Sequence, residues 1–259
     1  MASGTVRFER QGAIGILTLS RPEKLNALDL DMLSALMDAA DRLEADPEVR
    51  VAILTGEGKG FSAGGDIRAW GGMRPEEFGH QWVRHGHRIF DRLATLRVPL
   101  VVAVNGHALG GGLELAGIAD IRIAEEHVRI GLPETGLGMV PGWSGTQRLV
   151  RRFGAQLVRR MALGGEVFNA AEARDLGLVD HVAPTGGSLD AALQYAARIA
   201  TRGPAALEIV KLMIASASGE DNGAAVEALG SILAAKTGDL KEGVASFTEK
   251  RPAQFKGEW

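Results

Sequence analysis

The chain has 259 residues, 46% hydrophobic and 24% charged, which is enough for one sizeable α/β core and ordinary for a soluble protein. A formal net charge of −3 advertises neither nucleic acid nor an acidic membrane as partner, and the absence of cysteine removes disulfides, thiolate nucleophiles and zinc–cysteine sites together. The first residues, MASGTVRFER, lack an apolar secretory region and the longest apolar run, Val98 to Val104, is too short for a bilayer, so a cytoplasmic location is expected.

In chain order, Val6–Glu9 and Ile14–Leu19 read as two strands of a hairpin around RQGA. The loop SRPEKLNALD, broken by Pro22, leads into an amphipathic helix from Asp29 to Glu44, with Leu30, Leu33, Met37, Ala40 and Leu43 on one stripe. VRVAILTG is a buried strand ending at Gly56, followed by the glycine-rich loop GEGKGFSAGGDI. A helix is expected from His80 to Leu96, stopped by Pro99, and PLVVAVNG is a second buried strand running into HALGGGLELAG. ADIRIA and VRIGLP read as short strands and Thr146–Phe153 as a helix. Beyond residue 154 the pattern is mostly helical: Gln156–Leu163, Ala170–Leu176, Ser188–Arg202, Ala205–Ala217, Gly223–Lys236 and Leu240–Glu249, with one strand at Val179–Val182. Strands alternating with helices predict crossover units on a largely parallel sheet.

GFSAG, Gly60 to Gly64, fits the pattern of a serine nucleophile elbow. That elbow needs a strand running directly into the serine, and GEGK intervenes before Gly60; His107, His127 and His181 offer no recognisable partner. The glycine loops lack the Gly-Lys-Ser/Thr ending of a phosphate loop, and His80, His85 and His87 have no carboxylate at zinc-like spacing, so they are expected on a solvated helix face. Two glycine loops remain, SAGGD and LGGGLE, each following a buried strand. In a parallel sheet such loops meet at the carboxyl ends of neighbouring strands, where free N–H groups form a pocket for a developing oxyanion. Close helix–strand packing explains one glycine but not three with a second matching loop. Glu114, in the first turn after the glycines, and Glu134, between Pro133 and Gly136, are candidate acid–base groups, although spacing does not show that they meet.

Taken together and in order, RPEKLNAL, GKGFSAGGDI, PLVVAVNGHALGGGLELA, GLPETGLGMVPGWSGTQRL and FTEKRPAQFKG resemble the crotonase (enoyl-CoA hydratase/isomerase) superfamily over nearly the whole chain. The resemblance implies an α/β fold, a crotonase-like spiral of ββα units over residues 1–195, with a C-terminal helical region over 196–259 for assembly into a trimer or a dimer of trimers. It implies an acyl-CoA thioester substrate, with coenzyme A as part of the substrate and no separate cofactor or metal. The thioester oxygen is expected between the N–H groups of Gly65 and Gly111. Main chain around Ala63, Asp66 and Ile67 is expected at the adenine, Arg21 and Lys24 near the phosphates, and Phe247 and Lys250 where a neighbouring subunit closes the site. Glu114 and Glu134 occupy the two positions that carry the hydratase glutamates, with Gly142 near the catalytic water. Hydration of a 2-enoyl-CoA is therefore expected, with Δ3,Δ2-isomerisation or another acyl-CoA reaction as the alternative. Glu114, near a helix N-terminus, is expected to favour its ionised form and act as base, and Glu134 to deliver the proton, with the reverse or shared assignment left open. Gly65 stands where alanine is more usual, and Trp70 and Trp143 either narrow the acyl pocket or pack as core. Some members bind RNA through a lysine-rich first helix, but DLDMLSALMDAADRLE has no lysine and would repel phosphates.

Overall fold

A computed structural model describes residues 4–220 and 222–257. Strands β1 (Thr5–Gln11) and β2 (Ile14–Ser20) form the expected antiparallel hairpin, turned by Gly12 at a φ of 59°. After a 3₁₀ turn at Pro22–Lys24, Asp29 caps α1 (Leu30–Ala45) by accepting from the Met32 N–H at 2.9 Å. β3 (Val51–Gly56) and β4 (Leu100–Val104) are buried along their whole length, as continuous apolar strands with both faces covered must be. Between them lie α2 (Ile67–Trp70), α3 (Pro75–Glu77), a π-helical turn Phe78–Val83 and α4 (Arg84–Ala94). The expected single helix over 80–96 therefore begins in a π turn and ends at Ala94.

β5 (Ala108–Leu109), α5 (Gly111–Ala116), β6 (Ile121–Glu125) and β7 (Arg129–Gly131) follow, then a 3₁₀ turn Glu134–Leu137. The chain continues through α6 (Arg148–Phe153), α7 (Ala155–Ala162), β8 (Val167–Asn169), α8 (Ala170–Asp175), β9 (His181–Ala183) and α9 (Ser188–Ala200). The large sheet has the order β1-β2-β3-β4-β6-β9 and is parallel from β2 onward; β5, β7 and β8 form a second, small sheet. Alternate residues of each large-sheet strand divide between two cores. Leu17, Leu54 and Val102 face α1 and α4, while Ile16, Ile53 and Val101 face Ala192 and Ala196 of α9.

Successive turns of chain each place one strand in the large sheet and then a short segment on the small one. β3 is followed by Ser62, which bridges in parallel to Ala108; β4 is followed by β5, which pairs in parallel with β7; β6 is followed by β7 itself. This is the repeated ββα unit that the resemblance implied.

Met1–Lys211 and Leu212–Trp259 are two compact units. The expected boundary after residue 195 falls inside α9, which is continuous to Ala200 and packs on the large sheet. α10 (Pro204–Ala217) leads from one unit to the next; α11 (Gly223–Ala235) and α12 (Gly238–Glu249) belong to the second. Ile209, Met213, Ile214, Leu233 and Val244 are exposed along these helices.

Two asparagines stitch the glycine loop in place. Asn26, fully buried at a φ of 55°, accepts from the Arg21 N–H and donates to the Glu57 and Gly60 carbonyls; Asn105 accepts from the Gly56 N–H and donates to the Gly56 and Gly58 carbonyls. Left-handed backbone tolerates asparagine better than alanine. Asn26→Ala is expected to lower unfolding stability by about 2–4 kcal/mol, through lost hydrogen bonds, stranded carbonyls and backbone strain. Urea denaturation of the variant measures this directly.

Candidate active site

Gly65 lies three residues beyond Ser62, Gly111 two beyond the end of β5, and Glu134 three beyond the end of β7. The three parallel segments therefore deliver these residues at the same edge of the small sheet. Neighbouring strands lie about 4.8 Å apart, a separation at which one oxygen can accept from donors on both. The N–H groups of Gly65 and Gly111 donate to no acceptor among the described residues. The loops that carry them touch: a Cβ at Gly111 would lie 3.3 Å from the Gly64 Cα, and one at Gly64 would lie 2.9 Å from the Gly111 nitrogen. A Cβ at Gly112 would come 2.1 Å from the Ser62 carbonyl oxygen. Close approach thus explains Gly112 and, against the Trp143 ring at 2.9 Å, Gly111 as well, while the Gly111 N–H stays bare.

A cleft of about 360 Å³ opens over these groups. Gly65, Gly111, Glu114, Glu134 and Gly142 all line it, as do Ala63, Ile67, Trp70 and Trp143. Trp143 is at once wall and core: it is 3% exposed, and its ring packs 5.4 Å from Trp82 and 5.2 Å from Phe90. A Cβ at Gly86 would meet the Trp143 Nε1 at 2.3 Å, so that glycine seats the indole. Trp82, Trp70 and Trp143 converge on Gly65 and occupy the space around the methyl group that an alanine would carry there.

Glu114 accepts hydrogen bonds on Oε1 from the Trp143 and Gly145 N–H groups, both at 2.7 Å. The two donors converge because Ser144, between them, is held at a φ of 86°, which curls the backbone into an anion-holding nest. A Cβ at Gly145 would fall 2.8 Å from that oxygen. Even so, burial and the neighbouring Glu134 charge outweigh the nest, in which the Gly142 N–H also takes part, and push Glu114 up to about 7. The expectation that a helix N-terminus keeps Glu114 ionised is corrected: α5 is only six residues long, and desolvation dominates. Glu134 is raised as well, by burial, and neither of its carboxylate oxygens has a hydrogen-bond partner from another residue. Its Oε1 would stand 2.9 Å from a Cβ at Gly110, whose φ of 54° also favours glycine.

The loop around Asp66 uses part of its main chain internally: Ala63 N–H donates to the Leu25 carbonyl and Asp66 N–H to that of Leu28. The Ala63 carbonyl and the Ile67 N–H have no partner among the described residues, leaving one acceptor and one donor unused on this loop. Arg21 departs from expectation. Its guanidinium is 12% exposed, pairs with Asp29 at 3.1 Å and Asp66 at 2.9 Å, and donates to the Ala27 carbonyl. So engaged, it fastens the two caps flanking the Gly65 loop and is not free to meet a phosphate. Lys24, in the adjacent 3₁₀ turn, makes no ion pair among the described residues. Phe247 is an exposed residue of α12 and Lys250 the left-handed residue that ends it.

Ser62 is fully buried, donates to the Asn26 carbonyl and accepts from Gly64 N–H, the bonding of a structural serine. Among the described residues no cluster of three metal-binding side chains occurs, and no helix is long and apolar enough to cross a membrane. His87 is a third correction: it lines the cleft, as does Gln147, instead of lying on a solvated face. The helical pattern that places it outside assumes a regular helix, and the preceding π turn shifts the face.

The family profile described as "Enoyl-CoA hydratase/isomerase" matches residues 9–258. The chain is 37% identical to the 2,3-dehydroadipyl-CoA hydratase of Escherichia coli K12, over 96% of this chain and 97% of that one. It is also 37% identical to the crotonyl-CoA hydratase of Syntrophomonas wolfei, over 98% of this chain and 99% of that one. A solved enoyl-CoA hydratase structure from Bacillus anthracis superposes with a TM-score of 0.80 at 32% identity, covering 98% of this chain and 100% of that one.

The carboxyl of Glu114 yields a stability prediction. A group raised from 4.5 to about 7 on folding supports the native state fully below pH 4.5, and that support is lost as pH rises through about 7. Glu114→Gln should therefore gain stability relative to wild type between those limits, by roughly 3 kcal/mol. Urea unfolding of both proteins below pH 4.5 and above pH 7 tests it; a gap independent of pH contradicts it.

Proposed function

From the premise that this chain belongs to the enoyl-CoA hydratase/isomerase family, we propose that it adds water across the 2,3-double bond of a 2-enoyl-CoA thioester. The observation that carries the reading is the pair of unpartnered N–H groups, Gly65 and Gly111, beside two carboxyls whose pKa values are both raised. Attack of water oxygen on Cβ moves negative charge through Cα to the thioester oxygen. Two fixed donors stabilise that enolate, and removal of one such donor from an enzyme costs about 3–4 kcal/mol. One carboxylate takes a proton from the water and the other carboxylic acid gives one to Cα, so the pair works with a single proton between its members. Two coupled acids that resist ionising together hold that proton near neutrality. No step calls for a resident cofactor.

The reading assigns the free Ala63 carbonyl and Ile67 N–H to the adenine edge and Lys24 to the phosphates. Arg21 and the Asp66 side chain support that loop from behind. Phe247 and Lys250 are assigned to the coenzyme A site of a neighbouring subunit, with the exposed apolar residues of α10, α11 and α12 as the surface through which copies assemble.

Purified protein should consume the conjugated thioester of crotonyl-CoA. Glu114→Gln and Glu134→Gln should each lower kcat about a hundredfold or more, while acyl-CoA affinity is retained. Because catalysis needs one of the two carboxyls protonated, kcat/KM should fall as pH rises beyond about 7. Isomerisation of a 3-enoyl thioester without hydration would overturn the reading.

A further inference from the structure

Of the residues that make the Glu114 nest, only Ser144 has a positive φ, 86°, where a serine is strained and a glycine is not. What serine adds over glycine is a hydroxyl. In this buried place the hydroxyl meets a single partner among the described residues: its Oγ lies 3.3 Å from the His87 Nε2. A side chain that burdens its own backbone is thus tied to one imidazole.

The Ser144 carbonyl is held separately. It accepts from the N–H groups of Gln147, Arg148 and Leu149, at 3.3, 3.0 and 3.3 Å, which fixes it to the start of α6. His87 belongs to α4, so Ser144 is gripped from two helices, by its carbonyl and by its side chain. The grip closes on itself. The His87 Nε2 also lies 3.7 Å from the Oδ2 of Asp91, one helical turn on, and the Asp91 Oδ1 pairs with Arg148 at 2.5 Å. The Arg148 N–H, in turn, is one of those that bond the Ser144 carbonyl. None of these side chains bonds to Glu114 among the described residues. Their link to it runs through the Ser144 backbone, whose turn aims the Trp143 and Gly145 N–H groups at the Glu114 Oε1.

Building on the hydratase reading, we propose that His87 is a positioning residue for the reaction: its bond to the Ser144 hydroxyl holds the left-handed turn that keeps the Glu114 carboxyl in place. In this role His87 exchanges no proton with substrate or water.

The test uses the purified full chain with crotonyl-CoA as substrate. A second readout is free of activity: the titration of the Glu114 carboxyl by carbon-13 NMR, assigned by its absence in Glu114→Gln. His87→Leu and Ser144→Ala should each lower kcat about tenfold, with KM changed less than about threefold. His87→Gln, which can still bond to the hydroxyl, should restore part of the loss. Ser144→Ala and His87→Leu together should cost no more than either alone, because both break the same bond. In the Ser144→Gly background, where the turn no longer needs the hydroxyl, His87→Leu should cost less than about twofold. In both single variants the Glu114 carboxyl should titrate above its wild-type value of about 7, since loosened donors favour the anion less. Should His87→Leu not fold, Ser144→Ala and His87→Gln carry the same comparison. Losses that multiply in the double variant overturn the proposal, and so does a loss expressed mainly in KM, since His87 would then meet substrate itself. A Glu114 titration unmoved or lowered in both single variants overturns it too. If wild type leaves crotonyl-CoA unhydrated, the hydratase reading falls, and the NMR titration still decides on its own whether His87 holds the Glu114 turn.

Discussion

The site depends on the parallel register of three short segments on the small sheet. Ser62, β5 and β7 lie side by side, and a few residues beyond each comes a functional group: the Gly65 N–H, the Gly111 N–H and the Glu134 carboxyl. Strand spacing of about 4.8 Å sets the segments that carry the donors side by side, and parallel direction puts all of them on one edge. A buried N–H without an acceptor costs roughly 1–3 kcal/mol, and here the repeated chain path holds the buried Gly111 N–H and the half-buried Gly65 N–H in place. Glycine is required where the turns press together, at Gly64 against the Gly111 nitrogen and at Gly112 against the Ser62 carbonyl.

The carboxyls are controlled by a second device. Ser144, turned into left-handed backbone, aims the N–H groups of Trp143 and Gly145 at one oxygen of Glu114. Alone, that nest would keep the group ionised. Burial of the carboxyl and the neighbouring Glu134 charge reverse the balance. The fit of the Trp143 indole rests on Gly86 and Gly111, where an added Cβ would meet the ring at 2.3 and 2.9 Å.

Much of this was legible in the sequence because its signals are local. Strand apolarity, the stripe of α1, the Asp29 cap and the clustered glycines each report a constraint felt within a few residues. Arg21, His87 and Glu114 were misread for a common reason: what decides each is a neighbour far away in the chain. Arg21 looks like a basic loop residue until Asp66 occupies its guanidinium. His87 looks solvent-facing until a π turn rotates its face toward the cleft. Glu114 looks like an N-terminal helix carboxylate until Trp143 and Glu134 surround it.

By itself the sequence determined the alternation of elements, the two glycine loops and the identity of the two glutamates. Spacing along the chain and side-chain chemistry encode these directly. Only the tertiary structure decided which N–H groups stay unbonded, which cation is already spent, that burial lifts the carboxyls and which side chains line the cleft. Each of these depends on dielectric, distance and packing between residues tens of positions apart, and no periodicity in one dimension records it.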